Sequence, residues 1–245
     1  MSRVQMTLNG ALSIIGRETL RIVLPSWCVV CESGLPWRDR VASCCGACWR
    51  SLPQIASEKC RSCALPLPGA GICITCSGDP LPVDWCEAWG EYKGGLERLL
   101  HAFKFERHDF LDAPLAELLH ETLRQRGDLA FDAIAPVPMH GSRERRRGYN
   151  QARLLGTALS KRTGIACDAG LLRKRHENQT QSLLARAARA ANVRRAFEAS
   201  PRADELSILI IDDICTTGET LRACARELLH AGATRVCAIS VAKAV

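Results

Sequence analysis

Fourteen of the 245 residues are cysteine, and their spacing is the first sign of chemistry. Eight form four Cys-x-x-Cys pairs: Cys28/Cys31, Cys45/Cys48, Cys60/Cys63 and Cys73/Cys76. Such a turn aims two thiolates at one ion, and two turns complete a closed tetrahedral site. The spacers, residues 32–44 and 64–72, are short enough for zinc-ribbon loops. Two structural Zn2+ ions are therefore expected, the first pair joined to the second and the third to the fourth; interleaved pairing satisfies the same arithmetic. Cys44 adjoins Cys45, and only one of the two should coordinate. Cys45 keeps the two-residue spacing to Cys48 and is the expected ligand. A disulfide framework would need an oxidising compartment, and a thioredoxin-like pair would sit in a βαβ setting that these repeats lack. Cys86, Cys167, Cys215, Cys224 and Cys237 stand alone and read as small apolar packing residues.

A second kind of chemistry lies at residues 208–221, Ile-Leu-Ile-Ile-Asp-Asp-Ile-Cys-Thr-Thr-Gly-Glu-Thr-Leu. The four leading apolar residues predict a strand covered on both faces. Thr216, Thr217, Gly218, Glu219 and Thr220 predict a loop that opens a helix, where N–H groups and hydroxyls make a phosphate cradle. Asp212 and Asp213, just before it, are placed to accept from sugar hydroxyls or to help hold Mg2+. The Gly-Lys-Ser/Thr ending of a Walker loop is absent. A bare Asp-Asp followed by a Thr N-cap needs no ligand, but the full string is more specific. It resembles the 5-phosphoribosyl-1-pyrophosphate (PRPP) signature of type I phosphoribosyltransferases. That resemblance implies that Asp212 and Asp213 contact the ribose 2′- and 3′-hydroxyls at the catalytic centre, while residues 216–220 hold the 5′-phosphate.

Residues 134–151 read as a strand, a basic loop and a helix start. The loop from Met139 to Tyr149 carries Arg143, Arg145, Arg146 and Arg147, which suit a pyrophosphate's charge. Gly148 permits close backbone approach, and Asn150 can cap the helix that follows. A solvated Arg-rich surface loop is the plain alternative. The polar run from His176 to Ser182, followed by Arg186, Arg189, Arg194 and Arg195, falls where the type I core has a mobile loop over its substrate. Closure there would keep water from a ribosyl cation.

These segments need elements to position them. Leu8, Leu12 and Ile15 recur at near-helical spacing before Pro25, and residues 77–83 read as a linker. Strands are expected at 87–92, 132–138, 207–211 and 236–241. Helix faces are marked by Leu115, Leu118, Leu119 and Leu123; by Leu154, Leu155, Ala158 and Leu159; by Leu183, Leu184, Ala187, Ala188 and Ala191; and by Leu221, Ala225, Leu228 and Leu229. Strands alternating with helices imply an α/β fold with a mostly parallel, helix-flanked sheet. Three parts follow: an N-terminal amphipathic helix at 1–27, a metal-held double ribbon at 28–80 and the α/β unit at 81–245. Each of the last two is expected to have its own core.

No apolar run approaches a membrane span, and Arg17, Glu18 and Arg21 break the N-terminal stretch where a signal peptide would be apolar. A cytoplasmic protein is expected. The net charge of +7 is unevenly spread: residues 140–195 hold 14 Arg and Lys against Glu144, Asp168 and Glu177. So basic a segment favours anionic partners, phosphates or nucleic acid. With only 12 aromatics and no basic-aromatic alternation, a dedicated single-stranded DNA binder has less support.

Together, the paired Cys-x-x-Cys module, Arg147-Gly-Tyr-Asn-Gln151, Gln181-Ser-Leu183, Arg186, Asn192, Asp212-Asp213 and Thr216–Thr220 resemble the ComF family from about residue 25 onward. Cys44 is an extra cysteine against that pattern. The resemblance implies a double zinc ribbon joined to a type I phosphoribosyltransferase core, and a link to incoming single-stranded DNA or to DNA-uptake proteins. Its expected activity is Mg2+-dependent transfer of phosphoribose from PRPP to an acceptor; the alternative is a non-catalytic binder of PRPP, nucleotide, single-stranded DNA or a protein partner.

Overall fold

Four consecutive apolar side chains at 208–211 leave a strand no polar face, so helices must cover it on both sides. The structure, a computed structural model, describes residues 26–35, 43–55, 58–106, 108–175 and 196–245. The chain divides into two compact units at Ser51/Leu52. The helix expected around Leu8–Ile15, and the loop and Arg-rich helix expected within 176–195, lie outside the described residues.

In the first unit, β1 (Ser26–Trp27) pairs antiparallel with β2 (Gly34–Leu35), and α1 (Gly46–Arg50) follows with Cys45 as its N-cap. The second unit opens with a bridge from Gln54 to Gly90 and a short helix, α2 (Ile74–Gly78), capped by Cys73. Next come β3 (Cys86–Glu91), α3 (Gly94–Phe105), a 3-10 turn at Asp109–Leu111 and α4 (Asp112–Arg126). Then β4 (Ala133–Pro136), α5 (Gly141–Arg147), α6 (Gln151–Thr163) and β5 (Ala166–Cys167) follow. A two-stranded antiparallel ribbon, β6 (Leu172–Lys174) with β7 (Phe197–Ala199), precedes β8 (Ser207–Cys215), α7 (Glu219–His230) and β9 (Arg235–Lys243).

The main sheet has the order β3-β9-β8-β4-β5 and is parallel throughout. Ile208 and Ile210 face α7, packing with Leu221, Cys224, Ala225 and Leu228. Ile211 faces α6, where a Cβ on Gly156 would come within 3.4 Å of it. The α/β expectation holds, and the four strands predicted from sequence are all present; three have ends within two residues of those expected, while β8 runs four residues further, to Cys215, and takes in Asp212 and Asp213. Two readings change. Residues 94–105 form α3 although no element was assigned there; Leu96, Leu99, Leu100 and Phe103, all buried, give the i, i+3, i+4, i+7 stripe that marks it. The basic stretch expected as a loop is the two-turn helix α5. His140 caps it by accepting from the Ser142 N–H at 3.2 Å, and Gly148, at φ +93°, ends it.

The ribbon module does not have a core wholly its own. Cys60, Cys63, Cys73 and Cys76 belong to one buried cluster with Leu81, Cys86, Leu221 and Ala238 of the α/β unit. The segment at 53–55 adds to the β3 edge: Glu91 N–H donates to Pro53 O and Ile55 N–H to Trp89 O. That approach requires Gly90, because a Cβ there would lie 2.6 Å from the Pro53 carbonyl oxygen and 2.6 Å from Leu96. Gly90→Ala should therefore destabilise the second unit by about 1–3 kcal/mol, read as a lower urea midpoint at unchanged slope.

Candidate metal centres and phosphate-loop site

The two cysteine clusters repeat one design. Cys28, Cys31, Cys45 and Cys48 bring their sulfurs within 4.8 Å of one another, as do Cys60, Cys63, Cys73 and Cys76. Pairing is therefore sequential. In each, the backbone N–H of the third cysteine donates to the sulfur of the first at 3.3 Å. In each, the residue after the second cysteine takes a left-handed conformation, Glu32 at φ +61° and Ala64 at φ +60°. Cys31 Sγ–Cys45 Sγ and Cys63 Sγ–Cys73 Sγ are both 3.8 Å. A tetrahedral ion with zinc–sulfur bonds of about 2.3 Å has edges of about 3.8 Å, so the donor sets fit Zn2+. Four sulfurs leave no open position for catalysis. Burial raises the Cys28 and Cys60 thiols, but backbone N–H bonds outweigh it and lower them to about 6 and about 7. Cys44 stays out of the cluster, its thiol pushed up to about 12 by burial and then by the neighbouring Cys28.

At the carboxyl edge of the sheet, β8 ends in the two acids and the Thr-Gly loop. Strand alternation sends their side chains to opposite faces. Asp213 is buried and makes an ion pair with Lys104 of α3, Nζ to Oδ2 at 3.1 Å. Asp212 accepts from the Asp213 N–H at 2.9 Å, and burial, followed by the charge of Asp213, pushes its carboxyl well above the usual carboxylate range. The loop residues Thr216 and Thr217 are exposed; Gly218, at φ +82°, opens α7, with the Leu81 side chain 3.2 Å from where its Cβ would be. Glu219 and Thr220 form the first turn of α7. Arg222, one turn further on and 4% exposed, donates to Asp79 Oδ1 at 2.9 Å and to the carbonyls of Asp79 and Pro80 at 2.7 Å each. The linker is thereby fixed beside the loop's helix.

The α5 segment is tied to α3 as well. Tyr149 donates its hydroxyl proton to Phe103 O at 2.5 Å, and the Arg147 guanidinium lies 4.8 Å from the Phe105 ring centre. Arg147 also donates to Gln151 Oε1 at 2.9 Å, while Arg143, Arg145 and Arg146 are exposed. Asn150 caps α6 and donates to Val137 O at 3.1 Å, which holds β4 against the turn. The end of α3 thus touches both the acids and the basic helix. Lys104 and Phe105 are the last two residues of α3. The i, i+3 stripe locates their helix; the ion pair, 109 residues apart in sequence, has no local signal.

Metal analysis of the full chain purified without added zinc should find about two equivalents by this ligand count. Cys28→Ser should remove one and leave the main thermal transition in place, because Cys28 lies in the smaller unit. Cys60→Ser should remove the other and lower that transition, because its cluster shares the α/β core. A Cys60→Ser protein with an unchanged transition would contradict the shared core.

The sequence matches a family model for a double zinc ribbon domain over residues 19–77 and one for a phosphoribosyl transferase domain over residues 146–244. It is 31% identical over 220 residues to the DNA utilization protein YhgH of Salmonella typhimurium, covering 88% of this chain and 96% of that protein. It is 30% identical over 207 residues to competence protein F of Haemophilus influenzae, covering 82% and 84%. Among solved structures, glutamine PRPP amidotransferase from B. subtilis aligns at 20% identity and a TM-score of 0.40 over 57% of this chain and 30% of that one. With relatives matched over most of their length and both domain models met in order, the chain belongs to the ComF/YhgH family, which joins a double zinc ribbon to a phosphoribosyltransferase domain.

Proposed function

We propose that the chain binds PRPP at the carboxyl edge of its parallel sheet and transfers the phosphoribosyl group to an acceptor. The observation that carries this reading is the Thr216–Thr220 loop at the N-terminus of a three-turn helix, with Asp212 and Asp213 near the end of the central strand, two residues before it. Ligands of open α/β sheets bind at that edge. In this reading, loop N–H groups and hydroxyls hold the 5′-phosphate. Asp212 and Asp213 accept from ribose hydroxyls, one from each side of the strand. Arg143, Arg145, Arg146 and Arg147 attract the pyrophosphate, which leaves with the electron pair of the anomeric bond as the acceptor forms the new bond to that carbon. Fixed hydroxyls and a cationic wall favour this step because charge separates between ribose and pyrophosphate.

Mg2+ would supply further positive charge to the diphosphate. Among the described residues the only clusters of three or more metal donors are the cysteine ones, and Asp213 is paired with Lys104. The described residues therefore offer no ready protein cage for it, and ligand oxygens would carry the ion into the site. Reduced four-thiolate clusters favour a cytoplasmic setting. The names of the relatives, with the basic stretch at 140–195, support a role in handling DNA.

Ligand binding without transfer is a second reading. The Lys104–Asp213 pair favours it, since it satisfies one acid with no ligand present. Pyrophosphate release from PRPP and Mg2+ across a panel of bases, amines and oligonucleotides separates the two. For the site itself, Asp213→Asn should weaken PRPP binding about tenfold to a hundredfold, the equivalent of roughly 1.5–3 kcal/mol for a charge-assisted hydrogen bond. Thr217→Val should weaken it as well, by removing a hydroxyl donor at nearly constant volume. Calorimetry with Mg2+ present reads both; unchanged affinity in Asp213→Asn would return this strand to a structural role.

A further inference from the structure

We infer that Lys243 is the buried cation of the phosphate loop, held beneath residues 216–220 to meet the terminal phosphate of a phosphoribosyl ligand. The inference rests on the phosphoribosyl reading of that loop and adds a residue to it. Lys243 ends β9 and is 4% exposed. It stands in register with Cys215, the last residue of β8, so its side chain starts level with the loop. Its Nζ donates to the carbonyl of Thr216, the first loop residue. An ammonium has three donors; one goes to this carbonyl and one to the Cys215 thiol, which leaves a third.

The other buried charges of the described residues are neutralised. Asp213 has Lys104; Arg222 has Asp79; Glu87 has Arg126 at 2.9 Å and also Lys59. Lys243 alone among them makes no ion pair with a carboxylate of the described residues. The group facing it across the strand pair is the Cys215 thiol, which accepts from it; the Cys86 thiol first, and then Lys243, lower Cys215 to about 7 against the burial that raises it. A thiol neutralises a buried ammonium less fully than a carboxylate does, and a neutral donor would serve a carbonyl as well. A lysine is warranted where an anion arrives later, and the loop above it is the part of the fold built to receive one. A phosphate dianion there would be met by N–H dipoles from one side and a full charge from below.

The test uses the full chain with its metals and three variants, Lys243→Met, Lys243→Gln and Lys243→Arg. Ribose 5-phosphate is titrated by calorimetry, and circular dichroism with thermal melting checks the fold of each. Lys243→Met and Lys243→Gln should bind ribose 5-phosphate at least tenfold more weakly than wild type while keeping its circular dichroism spectrum and a single cooperative melt. Lys243→Arg should retain most of the affinity. Wild-type affinity in a folded Met or Gln variant overturns the inference and leaves the phosphoribosyl reading standing. No measurable binding of ribose 5-phosphate or PRPP by wild type overturns both.

Discussion

Strand β8 presents an apolar side chain to each face of the sheet at every position from Ile208 to Ile211, and all four are fully buried. Each such burial stabilises the fold by roughly 1.5–3 kcal/mol, and none of it is available unless α6 covers one face and α7 the other. Charge on this strand is confined to its carboxyl end, where the covering helices give way. Even there, Asp213 is buried and requires Lys104. The position of the acids follows from the burial of the strand that carries them, and α3 is drawn in to supply the counter-charge.

The proposed phosphoribosyl site thus draws on distant parts of the chain. β8 and α7 bring the acids and loop; α3 brings Lys104 and a surface for Arg147 and Tyr149; β9 brings Lys243. The linker at 79–81 forms the side wall, clamped by Arg222 and packed against Gly218. Only part of this lies within the matched phosphoribosyl transferase segment at 146–244. A shared sheet core fixes where a ligand can sit, and the segments before it shape what surrounds that place.

Features set by local spacing were legible in the sequence. The four cysteine pairs set their own geometry through two-residue spacing, and Cys45 over Cys44 followed from it. The 208–220 string was readable because strand, acids, loop and helix start are consecutive. Contacts that depend on tertiary approach were not. Lys104 meets Asp213 only once α3 lies over the sheet edge, and Lys243 is an ordinary lysine until the strand register places it beside Thr216. The α5 helix was missed because an Arg-rich run between a strand and a helix reads as solvated loop; the His140 cap and Gly148 stop, not its composition, make it helical. The shared core of the second ribbon was hidden because its apolar contribution is largely cysteine.

The unequal standing of the two ribbons bears on which shorter chains evolution can keep. The first forms a compact unit ending at Ser51, so a lineage starting its reading frame near residue 52 would retain every residue of the α/β core cluster. A lineage starting near residue 82 would lose Cys60, Cys63, Cys73, Cys76 and Leu81 from that cluster, along with the Asp79 and Pro80 partners of buried Arg222. The second ribbon is thus bound by heredity to the sheet, because any shortened chain that keeps this core must keep its four cysteines.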